Sequence, residues 1–402
     1  MDKPNAQNVR TRRVFYIPGY DPFHPRRYRE LYRKESAAQG AISGYSLSLS
    51  AKTTEGPYGW HVDSQIDGVE TQTDFEVLVW SDIVRGSMEQ GIIATYGLLV
   101  RTAWTYISTG ALFRLMRLRK GPVIAALYPV LFLLVQLLVA LLAGYGLYRA
   151  LGLVLPWWAA LVGFAVVPAL LHWFKARDNK FFAHYLMHDY AYSASTKGSN
   201  PPELEARMAE FATQIGEALQ SDVDEVLVVG HSSGAHLAVS VISDILRGGS
   251  MVKDGPSLSF LSLGQVVPMV SFLPNANRLR GDLHFLSQQE NLFWLDVTAP
   301  GDGCAFALCD PIHVTGVAPE VKRWPLVISA AFTQTLSPAR WTELRWRFFR
   351  LHFQYLCAFD RPGDYDYFQI TAGPKRLSDR FEGRAPSKSR IETPVNRFTE
   401  ML

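Results

Sequence analysis

The residues best placed to do chemistry begin with Gly230-His231-Ser232-Ser233-Gly234, a G-x-S-x-G run that follows EVLVV and precedes AHLAVSVISDIL. Alone the motif is a weak signal. A strand before it and a helix after it give it mechanical meaning, because a sharp strand-to-helix turn presents the serine Oγ above a sheet. Small residues at 230 and 234 let the two elements approach. Such a hydroxyl becomes a nucleophile when a base takes its proton and a carboxylate orients that base. Ser232 is the candidate nucleophile; the plain alternative is a Gly-rich helix start whose serines are structural.

Where this turn is used, the acid and then the base follow it in chain order, each beyond a later strand. Residues 292–297, LFWLDV, read as a strand that runs into a turn holding Asp302, the first candidate acid. Asp310 precedes a proline in a loop and is the second, while Asp296 lies inside the strand and points into structure. His352, in the helix-like LHFQYL after the last convincing strand, is the first candidate base. His313, in DPIHVTG, is its alternative, and His236 reads as structural. An oxyanion hole needs two backbone N–H groups. Ser233, next to the nucleophile, supplies one, and Tyr20, in the PGYD loop after the early strand, is the candidate for the other.

The elements that must position these groups are read from pattern. Short β-rich runs at 13–20, 45–51, 75–80, 225–229, 292–297 and 325–331 alternate with helical stretches, which is the signature of an α/β fold. A helix is expected through RRYRELYRKESAAQ. Another opens at Pro201-Pro202, with Leu204, Met208, Phe211, Ile215 and Leu219 on one face. The continuous apolar run of EVLVV suits a central parallel strand buried on both faces.

GHSSG after VLVV, the early PGYDP, and Asp302 and His352 in that order resemble the α/β-hydrolase superfamily over about residues 12–80 and 200–372. The resemblance implies a mostly parallel sheet flanked by helices and serine esterase, lipase or thioesterase chemistry, with no metal and no organic cofactor. The chain departs from it in having Pro18-Gly19 where His-Gly is frequent, and in carrying an insertion before the nucleophile strand.

That insertion is apolar. In residues 121–174 Arg149 is the only Asp, Glu, Lys or Arg, and about 20 apolar residues suffice for a spanning helix. Two transmembrane helices are expected, about 122–144 and 153–174, with a tight turn near GYGLYRALG. The rival is a helical pair buried in a large soluble core, which would ordinarily show a polar face. Arg114, Arg117, Arg119 and Lys120 precede the pair and Lys175, Arg177 and Lys180 follow it, which places both flanks, and with them both termini, on the cytoplasmic side. Residues 86–113 are broken by Glu89 and Arg101 and read as an amphipathic helix at the interface, with an ordinary helix packed on the soluble domain as the alternative.

The chain has 402 residues, 19% of them charged and 48% hydrophobic. Disorder is thereby excluded, and a net charge of +3 gives no reason to expect nucleic acid. Three cysteines without a C-x-x-C spacing argue against a disulfide scaffold or a zinc site and for a reducing compartment. The acidic spacing of residues 360–367 matches no EF-hand calcium loop. The expected organisation is residues 1–85 and 186–372 as two parts of one hydrolase domain, 86–185 as the membrane-associated insertion, and 373–402 as a polar tail. The expected function is cleavage of a lipid or other amphipathic ester by a membrane-anchored serine hydrolase, with membrane lipids as partners. An acyltransferase using the same triad, or a catalytically silent membrane scaffold, are the alternatives.

Overall fold

The computed structural model describes residues 8–52, 54–252 and 255–402; residues 1–7, part of the N-terminus assigned to the cytoplasmic side, lie outside them. Eight strands form one mixed sheet: β1 (Thr11–Ile17), β2 (Ser46–Ala51), β3 (Gly59–Ile66), β4 (Val69–Val77), β5 (Glu225–His231), β6 (Ser257–Leu263), β7 (Phe293–Thr298) and β8 (Leu326–Ser329). Their order is β2-β3-β4-β1-β5-β6-β7-β8. The pairs from β4 through β1 to β8 are parallel, and β2-β3-β4 is an antiparallel meander at one edge.

Every residue of β5 is buried, as a central strand covered on both faces requires. The pleat divides its side chains. Val226 and Val228 join Phe15 and Ile17 of β1 in a core beneath Leu204, Met208, Phe211 and Ile215. Leu227 and Val229 join Val14 and Tyr16 in a core on the opposite face, with Tyr28 and Tyr32 of α1 (Arg26–Ser43). Helices therefore cover both sides, and the central parallel strands end together where β5 delivers Ser232.

Two strands break the apolar pattern. β6 reads SLSFLSL, and its inner serines are buried because they bond across the sheet: Ser259 Oγ donates to Glu225 at 2.7 Å and Ser262 Oγ to Asp296 at 2.6 Å. β3 puts Ser64 on its buried side, where Oγ donates to the carbonyls of Thr71 and Ala372. Satisfied polar groups cost little in a core, so serines interrupt the apolar faces formed by Trp60, Val62 and Ile66 in β3 and by Leu258, Phe260, Leu261 and Leu263 in β6.

Between β4 and β5 the insertion runs through α2 (Ser81–Met88), α3 (Ile92–Ser108), α4 (Ala111–Leu118), α5 (Lys120–Leu151), α6 (Trp157–Ala160), α7 (Val166–Ala176), α8 (Asp178–Phe181) and α9 (Ala183–Ser195). Helix α5, with 32 residues, and the 20-residue stretch Trp157–Ala176 are long and apolar enough to cross a membrane. Only 28% and 17% of their most apolar windows are buried. The pair is thus not enclosed in the protein's own core, and leucines such as Leu131, Leu138 and Leu142 face outward.

The turn is displaced from its expected place. Helix α5 passes through Gly144 and Gly146 to Leu151, and the chain reverses between Gly152 and Pro156. The glycines serve packing instead: a Cβ at Gly144 would lie 2.9 Å from Phe164 and Val167, and one at Gly163 2.7 Å from the Tyr148 backbone nitrogen. Small residues let two apolar helices come close where no hydrophobic effect draws them together. The expected continuous helix over 86–113 is also divided, into α2, α3 and the start of α4. Helix α3 buries Thr95, Thr102 and Thr105 and leaves Ile93, Val100, Trp104 and Ile107 outside.

After α9 come α10 (Pro202–Ala218), which carries the anticipated apolar face, and α11 (Ser233–Arg247) behind the Ser232 turn. The polar tail is laid over the domain and fastened by its backbone: Ser387 N–H donates to Val327, Ile391 N–H to Leu308 and Leu402 N–H to Asn277.

Candidate active site

Ser232 sits between β5 and α11 with φ 57° and ψ −122°, a backbone state that costs about 1–3 kcal/mol in a residue with a Cβ. The surroundings impose it. Ser232 N–H donates to the Leu263 carbonyl of β6 at 2.9 Å, and α11 lies so close to β1 that a Cβ at Gly234 would fall 2.0 Å from the Ile17 oxygen. The loop after β1 closes over the serine: a Cβ at Gly19 would stand 2.9 Å from Ser232 Cβ and 3.3 Å from its Oγ. The Ser232 side chain remains partly exposed.

Asp302 lies in the turn after β7, and His352 ends the short helix Phe348–His352. The structure brings them together: His352 Nδ1 donates to Asp302 Oδ2 at 2.7 Å. Asp302 also accepts from Tyr355 Oη at 3.0 Å, and its Oδ1 from the Cys304 N–H at 2.9 Å. Burial would raise the Asp302 pKa, but His352 and these donors together hold it below the ordinary value. His352 approaches the serine through the β6 turn, since a Cβ at Gly264 would be 3.1 Å from His352 Cε1. Ser232 N–H bonds the residue just before Gly264. No hydrogen bond joins Ser232 Oγ to His352 among the described residues; such contacts often close only around substrate.

The N–H groups of Ser233 and Tyr20 find no protein acceptor among the described residues. Ser233 opens α11, so the helix dipole adds to its pull on an anion. The Tyr20 loop is held by its carbonyls, with Trp80 Nε1 donating to Pro18 at 2.9 Å and Tyr185 Oη to Tyr20.

Other candidates fall elsewhere. His313 stands 3.2 Å from Asp310 and 3.9 Å from Glu392, and Lys322 Nζ is 2.8 Å from Asp310. Asp310 also caps the helix Pro311–Thr315. Asp310, His313 and Glu392 could hold a metal ion, as could Asp302, Cys304 and His352. In both groups a carboxylate is already engaged, by Lys322 in the first and by His352 and Tyr355 in the second. Asp296 is paired to Ser262 inside the sheet, and burial pushes it up to about 8. His236 is buried in α11 and pushed down to about 4. The carboxylates of 360–366 do not converge: Asp360 binds the Ser337 N–H, Asp364 binds Arg384, and Asp366 caps the helix Tyr367–Ala372.

Three residues near Ser232, Asp302 and His352 carry no motif. Tyr355 accepts from the Ala299 N–H at 3.0 Å while donating to Asp302, so it fixes the acid to β7. Burial, with the neighbouring His352, pushes His231 down to about 3. Neutral there, it donates Nε2–H to the His352 carbonyl at 3.0 Å. Asp189 of α9 lines a cavity with Ser233 and His236, and burial pushes its carboxyl up to about 7. Only the spacing of Tyr355, three residues after His352, offered any signal.

Comparison of the chain with protein-family models, with curated proteins and with solved structures finds no match.

Proposed function

We propose that the protein is a membrane-anchored serine hydrolase of the α/β-hydrolase kind, cleaving a carboxylic ester of an amphipathic, lipid-like substrate. The observation that carries the reading is the 2.7 Å bond from His352 Nδ1 to a buried Asp302, made beside a serine held at φ 57° on a strand-to-helix turn. Ser232 Oγ attacks the acyl carbon and its proton passes to His352 Nε2. Asp302 keeps Nδ1 protonated and stabilises the imidazolium. The oxyanion is met by the Ser233 and Tyr20 N–H groups. His352 returns the proton to the departing alkoxide, and water, activated by the same imidazole, releases the acid.

The membrane part of the proposal rests on how the hairpin joins this site. Gly121, in the first turn of α5, lies against Gly303: a Cβ there would be 3.2 Å from the Gly303 oxygen. The acid turn is therefore in contact with the base of the hairpin. At 1.5 Å per residue α5 is about 48 Å long, longer than the roughly 30 Å of hydrocarbon. Its first part is flanked by protein, with Tyr96 Oη donating to the Leu133 carbonyl and Phe132 packed 5.1 Å from Phe181. From Leu133 to Leu151 it extends about 28 Å, packed against Trp157–Ala176. That length suits the bilayer, with the basic flanks on the cytoplasmic side.

A fluorophosphonate probe tests the chemistry. Wild-type protein should be labelled and Ser232→Ala should not, with ester turnover falling on the order of 10³-fold or more. A wild-type chain that is folded but neither labelled nor active would make the domain a silent scaffold.

A further inference from the structure

Beside the nucleophile lies a cavity of about 20 Å³, walled by Tyr20, Trp80, Tyr192, Asp189, Ser233 and His236. It takes a group the size of one water molecule, which excludes an acyl chain. Three of its walls are aromatic and mutually packed, with Tyr20 ring centres 6.0 Å from Trp80 and 5.8 Å from Tyr192. The lining also includes the Asp189 carboxylate, beside the polar Ser193, Ser199 and Asn200. Among the described residues no donor hydrogen-bonds Asp189, and no Lys or Arg pairs with it. Asp189 is partly exposed, yet it accepts no hydrogen bond and its only charge neighbour is His352, in surroundings that disfavour its ionised form. Here it also stands in one cavity with Ser233, whose N–H is to meet an oxyanion, so its negative charge would oppose the transition state. A positive group in the cavity would remove both penalties, and aromatic faces favour a cation as well.

We propose that this cavity is a subsite for a primary ammonium group carried by the substrate, with Asp189 as its counter-charge. The inference rests on the reading of Ser232 as the nucleophile of an ester hydrolase. Size selects the primary ammonium, since a trimethylammonium group is several times larger than the space. The group reaches the cavity from the acyl side or from the alcohol side of the ester, and each is addressed by its own substrate pair.

The test uses the full-length protein in detergent micelles. Butyl β-alaninate is compared with butyl butanoate for the acyl side, and ω-aminohexyl butanoate with heptyl butanoate for the alcohol side. In one of the pairs kcat/KM should favour the ammonium ester by about tenfold or more, as desolvated charge pairs do. The corresponding trimethylammonium ester should lose that preference. Asp189→Asn should abolish it, with turnover of the neutral esters undiminished or raised and fluorophosphonate labelling retained. Equal rates within both pairs, in a protein whose Ser232 is labelled, would overturn the subsite. So would a fall of Asp189→Asn on neutral and ammonium esters alike, which would make Asp189 a counter-charge to His352 instead. Failure of labelling in the wild type would remove the hydrolase reading itself.

Discussion

Replacing Asp302 by asparagine separates two things a triad acid does. The Asp302 Oδ2 accepts from both His352 Nδ1 and Tyr355 Oη, whereas Oδ1 accepts only from the Cys304 N–H. An amide nitrogen in the Oδ2 place would face two donors; in the Oδ1 place it faces one. The asparagine should therefore settle with its carbonyl toward His352, leaving the imidazole in its working tautomer. What is lost is the charge that stabilises the imidazolium. A hydrogen bond to a charged group contributes about 1.5–3 kcal/mol, so kcat/KM should fall on the order of 10- to 150-fold. This is well short of the roughly 10⁴ seen where an amide imposes the wrong tautomer. The Cys304 N–H, left facing a donor, should cost a further ~1–3 kcal/mol of stability. The assay is turnover of a soluble short ester, with thermal unfolding in the same detergent. A loss near 10⁴ would mean that the amide is reversed and the donor count is wrong. Unchanged turnover would remove Asp302 from the mechanism.

His352→Ala should be nearly as damaging as loss of Ser232, because triad members act as a unit; an active His352→Ala beside an inactive His313→Ala would transfer the base role. Tyr355→Phe removes a donor to Asp302 and strips the Ala299 N–H of its acceptor, for a combined cost of about 2–5 kcal/mol. A carboxyl with a depressed folded pKa stabilises the fold above its unfolded value and loses that contribution as pH falls through the folded one. With less depression in Tyr355→Phe, acid unfolding followed by circular dichroism should begin at higher pH. Asp189 has the opposite sign: its pKa, raised to about 7, costs stability increasingly as pH rises from the ordinary carboxyl value toward 7. Asp189→Asn should therefore raise the melting temperature more at pH 8 than at pH 4. His352, His236, Cys304, Tyr20, Tyr106, Tyr185, Tyr190 and Tyr192 surround this carboxyl, and wild type and variant share all of them at each pH. Deleting residues 137–170 behind a short Gly/Ser linker should release the protein to alkaline carbonate yet spare soluble-ester turnover. Deleting 121–174 also removes the Gly121 contact with the acid turn and should abolish turnover; carbonate extraction of the intact chain would refute membrane insertion.

Local chemistry made some of this legible in the chain. A hairpin of 54 residues with one charge, a buried strand running into Gly-x-Ser-x-Gly, and the periodic face of Leu204, Met208, Phe211 and Ile215 each express a rule that acts over a few residues. They announced the apolar pair, the central strand and the serine turn without reference to anything distant. The apolar patterns of β3 and β6 are interrupted by buried serines that groups elsewhere in the chain satisfy, and the place of the hairpin turn was masked because Gly144 packs against Phe164 instead of ending its helix. Which acid and base meet could only be ranked from order. The contact between residues 50 positions apart, and the pairing of His313 with Asp310 instead, are decided by where β7 and the late helix are packed. Asp189 lies furthest beyond sequence reasoning. Nothing in AHYLMHDYAYSAS marks its aspartate, and it becomes a candidate for recognition only because α9, returning from the hairpin, sets it unpaired in one cavity with Ser233. Burial and partnership are properties of the assembled fold, and a carboxylate's role depends on both.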